Sequence, residues 1–373
     1  MKLLLFLSVL SCLVLTASSQ EESNSNIRLK QIDGRHWLIS PEGKPFFAHG
    51  VTHINNKAHG VDVKKIGEAC KSLGFNSYGY GCPEALKADM PYIEGRNALV
   101  PMSLYRSDGT FSYVDIFDPK EQAKIEKQIK NMCFLNQKNP NLIGYCWTDL
   151  AAWPLENSTR KNWVKYIRQL SPESPGNKAY QKFLTEWNGE DTAARDQEFL
   201  KIIAQKYFRV LGEANRKYDP DHLILGDRFS FSAYDSDVIK EMLPYIDALA
   251  FQPNFQAGFP KKKFDDLFEL TGKPIILCDF AIRFKEEGKN IRGWKPEENA
   301  TTAGQRYSEY IRDAFATPYI LGAFWCNPIN SKPGFQKKGI KQGLFDQGLV
   351  ARPGLNQAIR SLNLFLSQST PKK

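Results

Sequence analysis

The chain has 373 residues, 42% of them hydrophobic, and a formal charge of +9. Its length suits two ordinary domains or one α/β barrel. The lysines are dispersed apart from Lys261-Lys262-Lys263 and lack the arginine-aromatic interleaving of a nucleic-acid binder. The charge therefore reads as a solvated basic surface with no nucleic-acid partner, and affinity for an acidic polysaccharide is the secondary reading.

Residues 1–19 read as an export signal: one early lysine, a short apolar run, and small residues at Ala17-Ser18-Ser19. Cys12 offers a lipoprotein alternative, but the apolar run continues past it. Nothing later is long and apolar enough to span a bilayer, so no stable membrane insertion is expected after cleavage. The expected location is secreted or periplasmic. Residues 20–34 form a flexible lead-in, and 35–370 form a single domain.

Trp37–Ala48, with Pro41-Glu42-Gly43-Lys44 at its centre, has the pattern of a hairpin. Eight strand-like runs follow: Phe46–His53, Phe75–Tyr78, Ala98–Leu104, Leu142–Thr148, His222–Arg228, Ile246–Gln252, Pro274–Phe280 and Ile320–Trp325. Helical patterns lie between them, at Asp62–Leu73, Asp118–Asn136, Thr192–Tyr218, Asp235–Leu243, Phe264–Leu270, Thr302–Phe315 and Pro353–Phe365. The alternation predicts a (β/α)8 barrel, with the hairpin closing its bottom and residues 150–192 as a long excursion over its top after strand four. An open doubly wound sheet is the alternative.

Six cysteines remain after cleavage. Cys146, Cys278 and Cys326 fall in apolar runs and read as small core residues. Whether Cys70 and Cys82 pair is left open by the sequence. The five histidines fall into no metal-ligand spacing, and no metal or cofactor is implied.

In a parallel barrel, chemistry sits at the C-terminal strand ends. Leu142–Asp149 and Lys273–Phe280 each carry an apolar run into a single aspartate, Asp149 and Asp279. A carboxylate closing a buried strand is expected to do more than pack, and two of them can perform acid-base work on a sugar bond. His49 and His53, Asn76, Tyr105 and Arg106, Trp147, Arg228, Gln252 and Asn254, and Trp325 complete a polar, aromatic set suited to sugar rings and hydroxyls. The blander readings are core packing for the histidines and tryptophans, and an ion pair with Arg228 or Arg283 for Asp279.

The segments WLISPEGKPFFAHGVTHIN, FDP, NLIGYCWTDLAAW, GDRF, YIDALAFQPN, KPIILCDF and GAFW, in this order, resemble the retaining glycoside hydrolases of the large (β/α)8 superfamily. Within it they are similar to the exo-acting β-agarase group. The resemblance implies a glycosidase with an acid/base at the end of strand four and a nucleophile at the end of strand seven, each ordinarily glutamate. Here Asp149 and Asp279 stand at those positions, with Glu156 as a reserve acid. The resemblance also assigns Arg228 and Trp325 to sugar-binding positions. Aspartate is one methylene shorter, so each carboxyl would retreat roughly 1–1.5 Å. That retreat could widen the gap from the retaining range of about 5–5.5 Å toward the inverting range of about 6.5–9.5 Å. The expected function is hydrolysis of a poly- or oligosaccharide, agar-type galactans first, with Asp149 as a protonated acid and Asp279 as nucleophile or base. The rivals are a non-catalytic sugar-binding barrel that has lost its glutamates, and a transglycosylase on the same site.

Overall fold

A computed structural model describes residues 25–55, 60–95, 99–104, 110–190, 193–253, 258–285, 296–330 and 342–371. The export signal, Tyr105, Arg106 and Asn254 lie outside the described residues.

Strands β1 (Arg28–Ile32), β2 (Arg35–Ile39) and β3 (Pro45–Phe46) form an antiparallel sheet. The barrel strands are β4 (Ala48–Thr52), β5 (Ser77–Tyr78), β6 (Tyr92–Gly95), β7 (Leu142–Cys146), β8 (Leu223–Gly226), β9 (Phe229–Ser230), β10 (Leu249–Gln252), β11 (Ile275–Phe280) and β12 (Ile320–Cys326). They pair in parallel in the order β8-β7-β6-β5-β4-β12-β11-β10-β9. The two end members of that list are successive pieces of one strand, broken at Asp227-Arg228, and Asp247 N–H donates to the Ile224 carbonyl at 2.8 Å. The sheet therefore closes into a ring of eight, as the alternation predicted.

Parallel strands are covered on both faces, so their side chains divide into two buried sets. Ala48, Ile93, Ile143, Leu225, Ala250, Ile276, Cys278 and Phe324 fill the barrel, joined by Ile27 and Leu38 from the N-terminal sheet. Val51, Tyr92, Leu142, Trp147, Phe251, Leu277 and Trp325 pack outward against the helices. Gly50 marks a close approach within the ring, since a Cβ there would collide with the Ser77 carbonyl of the neighbouring strand.

The helices are α1 (Val63–Ser72), α2 (Pro119–Asn136), α3 (Trp163–Arg168), α4 (Pro175–Glu186), α5 (Ala193–Tyr218), α6 (Ser236–Met242), α7 (Lys261–Thr271), α8 (Ala300–Ala316) and α9 (Pro353–Ser369). Asp62, Asp118, Asp235 and Asn299 cap the helices that follow them by accepting from free N–H groups of the first turn. The excursion of 150–192 contains α3 and α4. No helix among the described residues is long and apolar enough to cross a membrane.

Strand three differs from expectation. It is Tyr92–Gly95, whereas the described part of the run Ala98–Leu104 is a loop whose Val100 and Met102 are fully buried. Pro101 lies within that run and cannot donate to a central ladder. Among the described residues every cysteine is a free thiol, including Cys70 and Cys82.

Candidate active site at the C-terminal end of the barrel

Strand pleat decides which expected residues reach the mouth. Ala48 fills the barrel, so His49 points outward by alternation. There its Nδ1 donates to Asn363 Oδ1 at 2.5 Å and its Nε2 is 2.9 Å from the Tyr307 hydroxyl. Burial pushes it down to about 4, so it is a neutral core histidine. Asn76 is likewise structural, accepting from His49 N–H at 2.8 Å and donating to the Phe47 carbonyl at 2.9 Å. Both residues line a cavity of about 550 Å³ at the N-terminal end of the barrel, beside Phe46 and Leu366.

Trp147 is fully buried against α5, where it donates to Asn215 at 3.0 Å and stacks on Phe208. Trp325 is fully buried against Tyr307 of α8 and donates to the Gln342 carbonyl at 3.1 Å. The substrate roles expected for His49, Trp147 and Trp325 give way to packing behind the barrel wall, and that of Asn76, an exposed residue, to bracing the backbone of β4 at the opposite end of the barrel. Trp153 donates to Asp227 at 2.9 Å, and Tyr207 donates to it at 3.2 Å. Burial pushes Asp227 up to about 7, against the pull of those hydrogen bonds.

His53 and Asp279 escape the alternation. Val51 and Leu277 face outward, so an unbroken pleat would turn His53 and Asp279 outward as well. Both instead have left-handed backbones, with φ of 60° and 65°. At Asp279 the pairing with β12 also shifts register between Leu277 and Phe280. Leu150 and Asn327, beside Asp149 and Cys326, share the left-handed region at φ 40° and 56°. Such backbones cost non-glycine residues about 1–3 kcal/mol each and concentrate at functional sites.

The result is a tight polar cluster. Asp279 Oδ2 is 3.1 Å from His53 Nε2 and accepts from the Tyr80 hydroxyl at 3.0 Å, and that hydroxyl lies 2.6 Å from His53 Nε2. Arg228 is 1% exposed, lies 3.9 Å over the Tyr80 ring, donates to Asp149 Oδ1, and places the same Nη2 3.6 Å from Asp279 Oδ2. Burial works against the charge on Asp279, but His53 and Arg228 outweigh it and hold the carboxyl far below the usual range. Its Oδ1 is buried without a hydrogen-bond partner among the described residues. Burial, with Asp279 beside it, pushes the Cys326 thiol well up. Gln252 ends β10 in the register that faces the barrel.

The structure thus brings together Asp149, Asp279, His53 and Arg228 from the expected set, and adds Tyr80 and Cys326. Tyr80 follows β5 after Gly79, beyond the strand end predicted at Tyr78. Cys326 reads in sequence as one more small core residue.

No family model matches the chain. The chain is 26% identical over 134 residues to Beta-agarase B of Vibrio sp. (strain JT0107), a stretch that covers 36% of this chain and 14% of that protein. The fold is similar to that of the agarase AgWH50C, with a TM-score of 0.77 at 16% identity over 92% of this chain and 64% of that one. An exo-beta-agarase gives a TM-score of 0.78 at 18% identity over 92% of this chain and 65% of that one. A beta-D-glucuronidase of Dictyoglomus thermophilum gives 0.59 at 16% identity, covering 93% and 54%. At these identities the likeness is one of fold, a (β/α)8 barrel, and the chain spans under two thirds of the length of these two agarase structures.

Proposed function

We propose that the chain is a glycoside hydrolase that cleaves O-glycosidic bonds of a poly- or oligosaccharide, with agar-type galactans as the first candidates. The observation that carries this reading is the shared Arg228 nitrogen between Asp149 and Asp279 at the barrel mouth. Two carboxylates held this way supply the paired groups that glycoside cleavage needs. With about 2.8 Å for an ordinary charge-assisted hydrogen bond and 3.6 Å on the other side, the near oxygens are at most about 6.4 Å apart. That bound, set by the oxygens facing Arg228, admits the retaining gap of about 5–5.5 Å.

In this scheme Asp279 Oδ1, the oxygen with no partner, attacks the anomeric carbon while His53 and Tyr80 hold Oδ2. The bond to the leaving oxygen breaks, and Asp149 gives that oxygen a proton. Asp149 then takes a proton from water as the water oxygen attacks the glycosyl ester and releases Asp279. Asp149 is ion-paired to Arg228 in the ligand-free site. A sugar hydroxyl must therefore take over Arg228 before Asp149 can carry the proton. Gln252, at the end of β10 in the register that faces the barrel, would bind the same sugar, and residues 1–19 direct export.

The test is reducing-sugar release from a panel of neutral and sulfated galactans, comparing the native chain with Asp149→Asn and Asp279→Asn. Loss of release in both folded variants, with the product formed in its starting anomeric configuration by proton NMR, is expected. Saturable binding without release would overturn hydrolysis in favour of the sugar-binding barrel.

A further inference from the structure

The histidines and cysteines fall into no metal-ligand spacing in sequence, but the barrel assembles one from three strand ends. His53 Nε2, a carboxylate oxygen of Asp279 and Cys326 Sγ all lie within 4.8 Å of one another. Metal–ligand bonds of about 2.0–2.3 Å at tetrahedral angles place donor atoms roughly 3.3–3.8 Å apart. The 3.1 Å between His53 Nε2 and Asp279 Oδ2 is close to that spacing. Sulfur needs only a side-chain adjustment of about 1 Å to complete it.

We propose that His53, Asp279 and Cys326 form a transition-metal site suited to Zn²⁺, and that its occupancy and glycoside hydrolysis exclude one another.

Further features support the site. Asp279 Oδ1 is buried and has no hydrogen-bond partner among the described residues, so its lone pairs are open to a ligand. The donor set of one imidazole, one carboxylate and one thiol selects Zn²⁺ and its neighbours over Mg²⁺ or Ca²⁺. Three protein ligands with an open position is the pattern of reactive rather than purely structural zinc. The charges also balance: Zn²⁺ with one carboxylate and one thiolate is neutral, and the charge of Arg228 is met by Asp149. The neighbours suit the ion as well. Asn327 Nδ2 donates to Cys326 Sγ at 3.2 Å, Gln342 Nε2 donates to the Cys326 carbonyl at 3.0 Å, and the Tyr80 hydroxyl is placed to bond a metal-bound water. The His53 side chain is 35% exposed, which gives the ion a path from solvent. On binding, the Cys326 thiol releases its proton to solvent and the Tyr80 hydroxyl gives up its contact with His53.

The consequence for hydrolysis rests on the proposed role of Asp279 as nucleophile. The ion site stands on geometry alone, and its test is spectroscopic. Chelator-treated full-length protein is titrated with Co²⁺, which replaces Zn²⁺ and reports its ligands. One equivalent should bind, with visible bands of four-coordinate intensity and a near-ultraviolet thiolate-to-cobalt band. Cys326→Ser should lose the thiolate band and weaken Zn²⁺ competition at least about tenfold. Cys82→Ser, at a half-buried thiol on the loop after β5, should leave both unchanged. Absence of the band, or its survival in Cys326→Ser, overturns the site whether or not the protein hydrolyses any sugar. Where hydrolysis is found, Zn²⁺ should abolish it in the native chain. Activity undiminished at saturating Zn²⁺ would overturn the exclusion.

Discussion

Asp149 and Asp279, carried by strands on different sides of the ring, meet the same guanidinium nitrogen of Arg228. The arrangement lets two carboxylates share a buried mouth, since without the cation each would face the other's charge across a poorly solvated gap. Removing one partner of a buried ionic group typically costs about 3–5 kcal/mol. Arg228→Met should therefore lower unfolding stability by about 3 kcal/mol in urea titration. Combining it with Asp149→Asn should recover much of the loss. If the double variant were no more stable than Arg228→Met alone, the guanidinium would not be neutralising Asp149.

Two buried aspartates predict opposite pH slopes. Asp279 is depressed in the folded state, so its stabilising contribution is complete above the unfolded value of about 3.9 and is lost as pH falls below it. Asp227 is raised to about 7. The folded chain thus binds its proton more tightly, and stability falls as pH rises from about 4 to 7. Urea titrations across this range should show a declining component that Asp227→Asn removes, while Asp279→Asn removes the acid-side loss. A native profile identical to that of Asp227→Asn between these pH values would contradict the raised carboxyl.

The barrel was legible because burial on both strand faces leaves continuous apolar runs, and alternation with capped helices is hard to produce otherwise. Strand three was missed because Ala98–Leu104 is more apolar than Tyr92–Gly95. Pro101 was the signal against it. The carboxylates were legible as charges ending apolar runs, whereas the direction of neighbouring side chains was not. His49 and His53 look equivalent at a spacing of four, and only a left-handed φ of 60° at His53 separates a core residue from a mouth residue. Cys326 carries no local mark at all, because its partners come from β11 and from the end of β4, far away in sequence.

Trp147 tests the outward assignment. If it packs against α5, Trp147→Ala should cost about 3–5 kcal/mol of stability. Trp147→Phe, which keeps the stack on Phe208 but loses the bond to Asn215, should cost about 1–2 kcal/mol and leave KM for any cleaved sugar within twofold. A large rise in KM with stability intact would return Trp147 to the sugar site.

Two glycines separate steric closeness from backbone conformation. Gly50 in β4 has ordinary strand geometry, but a Cβ there meets the Ser77 carbonyl oxygen of β5, a backbone atom that cannot swing aside. Gly50→Ala should push β4 and β5 apart, and it is expected to abolish soluble expression or to cost at least about 3 kcal/mol as an overpacked core site. Gly34, in the turn between β1 and β2, has φ of 77° and nothing within 4 Å of its added Cβ. Gly34→Ala should cost only the strain of a left-handed alanine, about 1 kcal/mol, and fold normally. Urea denaturation of both variants distinguishes the two cases. Equal costs would mean that the β4–β5 approach is looser than the ring geometry requires.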